Sequence, residues 1–231
     1  MFDAIFNRVY SSLIDEGRYL YILQGFGRTL LMTLLSCLIG IFIGLLVSIV
    51  KVIPKKTSRG RAAEYLADAY LTVIRGTPAV VQLMIIYFVI FASVDVPKLL
   101  AAVVAFGINS GAYVAEIIRS GILAVDRGQM EAGRSLGLGY GDTMRFIILP
   151  QAFKNILPAL GNELITLLKE TSVAGFIGLA DLTKAGDIIK SQTYDAFTPL
   201  LLVAAIYLAV VMLMTKALAR LERRLRQSDN G

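Results

Sequence analysis

Residues 156–177 read ILPALGNELITLLKETSVAGFI, and whether this stretch crosses a membrane decides the fold. As a helix, 22 residues span about 33 Å, enough for a hydrocarbon core of about 30 Å. Hydropathy argues against a crossing, because Glu163, Lys169 and Glu170 are costly in lipid. The rest of the chain argues for it. Residues 29–50, 79–94, 99–115 and 199–215 are long runs without a charge, and the third continues to about residue 123. Basic residues cluster in three places: Lys51, Lys55, Lys56, Arg59 and Arg61; then Arg127, Arg134, Arg145 and Lys154; then Lys216, Arg220, Arg223, Arg224 and Arg226. The intervening loops are poorer, with Lys98 in one and Lys184 and Lys190 in the other. Counting residues 156–177 as a span puts all three basic clusters on one side, which the positive-inside bias makes cytoplasmic. Omitting it would put the tail and the loop at 126–154 on opposite sides. The expectation is an all-α polytopic membrane protein with five transmembrane helices, an outside N-terminus and a cytoplasmic C-terminus.

Composition agrees. Of 231 residues, 56% are apolar and the mean hydropathy is +0.69, above the range of ordinary soluble domains. The net charge of +6 is explained by the cytoplasmic loops, with no need for nucleic acid. No histidine is present, and the single cysteine, Cys37, lies inside an apolar run. That excludes an intrachain disulfide and leaves no metal-ligand cluster or catalytic nucleophile to point to. The first apolar run is too long for a signal-peptide core. Gly76-Thr77-Pro78 should interrupt a long helix over about residues 62–92, since proline removes a backbone donor.

Polar residues inside the spans are the candidates for function. Asn109, Tyr113, Glu116 and Ser120 share one helical face, as do Asn162, Thr166 and Lys169, with Glu163 and Glu170 on an adjacent stripe. The broken helix adds Arg75, Thr77 and Gln82. Interrupted backbone at membrane depth is tolerated only beside a cavity or protein. Thr77, Gln82, Asn109, Tyr113, Glu116, Asn162, Glu163 and Lys169 are therefore the expected pocket wall, with Glu116 or Glu163 receiving an ammonium group. The alternative is that these groups pair between helices and only hold the bundle together. Gly40 and Gly44, and Gly107 and Gly111, form GxxxG patterns that permit close helix approach.

The loop at 126–154 contains Met130-Glu131-Ala132-Gly133-Arg134-Ser135-Leu136-Gly137 and later Leu149-Pro150-Gln151-Ala152. This resembles the EAA motif of permease subunits of ABC importers, with Gly133 where the family has alanine, a change expected to loosen the first turn of the loop helix. Arg75-Gly76-Thr77-Pro78 with Gln82, the run from Ala112 to Arg119, and Asn162-Glu163 followed by Leu168-Lys169-Glu170-Thr171-Ser172 are similar to the polar amino-acid branch of that family, of histidine/arginine/glutamine permease type. The resemblance covers residues 29–221.

That resemblance implies a type I ABC importer transmembrane fold: an extracytoplasmic segment at 1–28, the transmembrane domain at 29–221 with a cytoplasmic coupling loop at about 126–152, and a cytoplasmic tail at 222–231. It implies that Glu131, Ala132, Gly133, Gly137, Leu149 and Pro150 couple to a dimer of cytoplasmic ABC ATPase subunits. The other partners it implies are a second permease copy or a sister permease, an extracytoplasmic amino-acid-binding protein, and the lipid of a bacterial inner membrane. Independently, the chain has no G-x-x-x-x-G-K-[ST] phosphate loop, so no cofactor is expected on this chain and ATP would be used by the partner. The expected activity is transport of a polar amino acid by alternating access, with basic side chains favoured. The competing class is a secondary transporter driven by an ion gradient, against which the absence of a visible inverted repeat also counts. A membrane-embedded enzyme or scaffold is disfavoured by the lack of any catalytic constellation.

Overall fold

The structure, a computed structural model, describes residues 10–53 and 58–227. Lys55 and Lys56 of the first basic cluster, and the last four residues of the tail, lie outside them. Every regular element among the described residues is helical. Two short turns, Tyr10–Ile14 and Asp15–Gly17, lead into α1 (Tyr19–Val52). Then come α2 (Ser58–Gly76), α3 (Ala79–Ile85, running on through a wider turn Ile86–Ile90) and α4 (Lys98–Leu123). A hairpin follows, made of α5 (Arg127–Ser135) and α6 (Tyr140–Thr143), which continues through Met144–Ile148 into α7 (Leu149–Glu170). A tightened segment Thr171–Ile177, α8 (Leu182–Thr193) and α9 (Phe197–Gln227) complete the chain.

Three helices, α1, α4 and α9, are long and apolar enough to cross a membrane, and α2 with Ala79–Ile90 qualifies only as a bent pair. The interruption expected at Gly76-Thr77-Pro78 is sharper than a kink, for the two halves turn by 109°. Pro78 sits in extended backbone at the N-cap of α3, where its missing N–H costs nothing. The first helix begins at Tyr19, ten residues before the uncharged run. Arg28 is accommodated within it because its guanidinium donates to the Ala180 carbonyl at 3.0 Å. Residues 156–177 divide between the end of α7 and the tightened segment, and α7 itself starts earlier, at Leu149.

The glycine patterns explain the centre of the bundle. Gly40 and Gly44 on α1 interlock with Gly107 and Gly111 on α4. A Cβ on Gly44 would lie 2.5 Å from Val114 Cγ1, and one on Gly107 would lie 2.6 Å from Ile39 Cγ2. The small residues thus let two helices of the same chain approach closely, and Ser36 adds a hydrogen bond to the Val103 carbonyl at 3.2 Å. α4 is the hub, with 67% of its most apolar window buried, against 11% for α9. Met32, Leu83, Phe106 and Leu167, from α1, α3, α4 and α7, meet in one cluster at 1% exposure or less. The low burial of α9 is what a helix facing lipid needs.

Candidate functional site

The first site is the hairpin of α5 and α6. Asp126 caps α5 by accepting the Gly128 N–H at 2.7 Å. Its other end closes as a Schellman motif: the Gly137 N–H donates to the Arg134 carbonyl and the Leu138 N–H to the Gly133 carbonyl, both at 3.1 Å. This requires Gly137 at φ +85, a conformation that costs side-chain-bearing residues about 1 kcal/mol. Glu131, Ala132 and Leu136 are exposed, Leu136 at 82%, so an acidic and an apolar side chain are presented outward together. Gly133 does not loosen the first turn. It lies in the last turn of α5, buried, where a Cβ would meet Thr143 Cγ2 at 2.6 Å and Ile147 Cδ1 at 3.0 Å. Leu149 and Pro150 open α7 where it joins the wider turn Met144–Ile148, and proline brings no N–H to that junction. Behind them Val125, Ile148, Ala152 and Ile156 anchor the hairpin to the bundle.

The polar residues at membrane depth separate into three groups. Thr77, Gln82 and Asn109 form one hydrogen-bonded chain. Gln82 Nε2 donates to the Ile74 carbonyl (2.8 Å), the Thr77 carbonyl (3.0 Å) and Thr77 Oγ1 (2.8 Å), while its Oε1 accepts from Asn109 Nδ2 at 2.9 Å. The amide side chain thereby satisfies carbonyls freed by the bend and ties it to α4. Asn109 Oδ1 is left buried without a partner among the described residues.

In the second group, Glu116 accepts from Arg119 Nε at 3.0 Å and Nη2 at 2.5 Å, and Arg75 Nη1 stands 3.9 Å away. Arg75 also lies over the Tyr113 ring, 5.8 Å from its centroid. Below, Lys51 Nζ bridges α1 to α2 through Asp68 at 2.6 Å and Glu64 at 3.6 Å. Lys51, Asp68, Thr72, Arg75, Glu116 and Arg119 surround a cavity of ≈ 560 Å³.

In the third group, Ser110 Oγ donates to Glu163 Oε1 at 2.7 Å, joining α4 to α7. Asn162 turns back to the Pro158 carbonyl at 3.2 Å. Asn162, Thr166 and Lys169 are exposed along one side of α7. Helical periodicity places Asn109, Tyr113 and Glu116 on one face and Arg119 within reach of Glu116, but gives no sign of the partners of Asn109 and Tyr113. Lys51–Asp68, Arg75–Tyr113 and Ser110–Glu163 pair residues far apart in sequence, and only the residue types hinted at them.

The geometry has known counterparts. Residues 36–227 match the family described as binding-protein-dependent transport system inner membrane component. The arginine transport system permease protein ArtQ of Bacillus subtilis is 42% identical over 211 residues, covering 90% of this chain and 94% of the relative. The glutamine transport system permease protein GlnP of Escherichia coli K12 is 42% identical over 174 residues, 74% and 80% of the two chains. Among solved structures, an amino acid ABC transporter crystallised with histidines superposes with a TM-score of 0.83 at 44% identity, over 91% of this chain and 97% of that one. The inward-facing MetNI methionine ABC transporter gives 0.75 at 25% identity, over 90% and 97%. The fold and the sequence are therefore those of a multi-pass inner-membrane permease subunit of an amino-acid ABC importer, whose ATP is hydrolysed by a separate subunit, and the chain belongs to the binding-protein-dependent transport system inner membrane component family.

Proposed function

We propose that this permease carries a basic amino acid along a path walled by α4 and α7, and that α7 is the fourth of five spans. The observation that carries the reading is the Ser110–Glu163 contact, a carboxylate fixed between two central helices at 2.7 Å. An ionised carboxylate at bilayer depth costs about 3 kcal/mol unless something offsets it. A hydroxyl donor supplies a fraction of that, and a cationic side chain in transit supplies more. Asn162, Thr166 and Lys169, uncovered beside it, suit an aqueous path between two permease copies better than lipid. Gln82 and Thr77 hold the bend, Asn109 ties it to α4, and Tyr113 with Glu116 lines the cytoplasmic half. The names of the relatives span arginine and glutamine, and Glu163 is the reason for placing a basic substrate first.

In this reading two copies, or one copy and a sister permease, form the pore. An extracytoplasmic binding protein delivers the substrate. Closure of an ATPase dimer draws the hairpins around Glu131 together and shifts the bundle between two packings. The direct test compares uptake of arginine, lysine, histidine, glutamine and glutamate in wild type and Glu163→Gln. Basic amino-acid uptake should fall by about tenfold, the equivalent of 1.4 kcal/mol, while the others fall less. Unchanged basic uptake would remove Glu163 from the path. For coupling, Glu131→Arg or Gly137→Asp should abolish assembly with the ATPase and uptake while the protein still inserts. Normal uptake in either variant would refute the coupling assignment.

A further inference from the structure

Arg75 is a cation of the membrane domain whose contacts leave its donors unused. Its guanidinium carries five N–H donors, yet makes no hydrogen bond among the described residues. Its nearest carboxylate oxygen, on Glu116, is 3.9 Å away, beyond hydrogen-bond range. Glu116 is already held by Arg119 through two bonds at 3.0 and 2.5 Å. Two guanidiniums therefore share one carboxylate, and Arg75 has the weaker share. The Tyr113 ring lies 5.8 Å from centroid to guanidinium carbon, near the outer limit of a cation–π contact, and leaves the N–H edges of the head group without a hydrogen bond. Those edges border the ≈ 560 Å³ cavity, whose lining includes Thr72 one turn below on α2.

A guanidinium with unused N–H donors at the wall of a cavity can bind a carboxylate through two parallel N–H···O bonds. We propose that Arg75 holds the α-carboxylate of the transported amino acid on the cytoplasmic half of its path. The inference rests on the assignment of this chain to amino-acid import. The α-ammonium, one carbon removed from that carboxylate, then falls towards Glu116 Oε2, the oxygen facing Arg75. The pair Arg75–Glu116 reads the zwitterionic head common to all α-amino acids and leaves side-chain choice to other residues. Such a division allows closely related permeases to differ in substrate while keeping the same anchor.

The test uses the permease assembled with its ATPase, without binding protein, and measures binding of L-arginine, L-histidine and L-glutamine beside the α-amide of each. Wild type should prefer each acid over its amide by about tenfold, 1.4 kcal/mol. Arg75→Gln should bring acid and amide within about twofold by weakening only the acid, and Arg75→Lys should recover part of the preference as a point charge without the fork. Assembly with the ATPase and basal ATP turnover control for folding of the variants. Undiminished acid preference in Arg75→Gln overturns the anchor alone, as does a wild type indifferent to the carboxylate. Failure of the wild-type complex to bind or take up any amino acid overturns the import reading together with the anchor.

Discussion

Restoring the alanine that the EAA pattern has at position 133 should destabilise this protein, and a second substitution should repair it. In Gly133→Ala two terms oppose one another. Alanine favours the helix over glycine by about 1 kcal/mol. Its methyl, however, would stand 2.6 Å from Thr143 Cγ2 and 3.0 Å from Ile147 Cδ1. Ile147 offers the flexible end of a side chain and can yield. Thr143 is fully buried, and its hydroxyl is tied to the Gly139 carbonyl at 2.9 Å, so it cannot. Overpacking of this kind costs about 1–3 kcal/mol, leaving a net loss of roughly 0–2 kcal/mol. Thr143→Ser removes the offending methyl and keeps the hydroxyl bond. Alone it leaves a methyl-sized void costing about 1 kcal/mol. Combined with Gly133→Ala it exchanges one buried methyl for another, so the double variant should be at least as stable as wild type. The cycle should show a favourable coupling of about 1–2 kcal/mol. Thermal unfolding of the four proteins in one detergent measures stability, and co-purification with the ATPase reports the shape of the hairpin. Additive effects of the two substitutions, or a stabilised Gly133→Ala single variant, would refute the packing account of Gly133.

Two further outcomes follow from local geometry. Gln82→Leu strips the donor from the Ile74 and Thr77 carbonyls and the acceptor from Asn109. Buried groups left unmet cost about 1–3 kcal/mol each, so the melting temperature should drop and protease should cut near residues 76–79. An unchanged melt and digest would show that the bend does not depend on this amide. Asp187, on the polar helix α8, has its carboxyl pulled down to about 2 by Lys184 and Lys190, whose Nζ atoms lie 2.8 and 2.5 Å away. Its folded pKa is below the unfolded value of about 3.9. The stabilisation is therefore complete above that value and is lost as pH falls from about 4 to about 2. Asp187→Asn should flatten this part of the wild-type stability profile, and a parallel profile for the two proteins would count against the pairing.

Much of the protein was legible in its sequence. Uncharged runs set the three long spans, because hydrocarbon accepts only apolar side chains over that length. The distribution of Lys and Arg gave the expected sidedness. The hairpin at 126–154 was readable as a motif because its residues lie close together in sequence, while the cap at Asp126 and the left-handed stop at Gly137 came from the structure. Gly76-Thr77-Pro78 announced a break for the same reason.

What the sequence could not decide depends on the third dimension. A break does not state its angle, and the 109° turn is held by Gln82 bonding back across the bend to Thr77 and by Asn109 reaching over from α4. GxxxG does not state its partner, and the glycines of α1 close on those of α4 within one chain. Gly133 gave the impression of a loosened turn until Thr143 was seen to occupy the space of the missing methyl. Glu116 pairs with Arg119, as their spacing of three residues allowed, but that Arg75 stands beside the same carboxylate without a hydrogen bond was visible only in three dimensions. The sequence alone determined which segments are apolar, which are basic and where the chain must turn, because partition into lipid and helix capping are properties of neighbouring residues. Only the tertiary structure decided which charges are neutralised and which glycines touch, because ion pairing and close packing join residues that lie far apart along the chain.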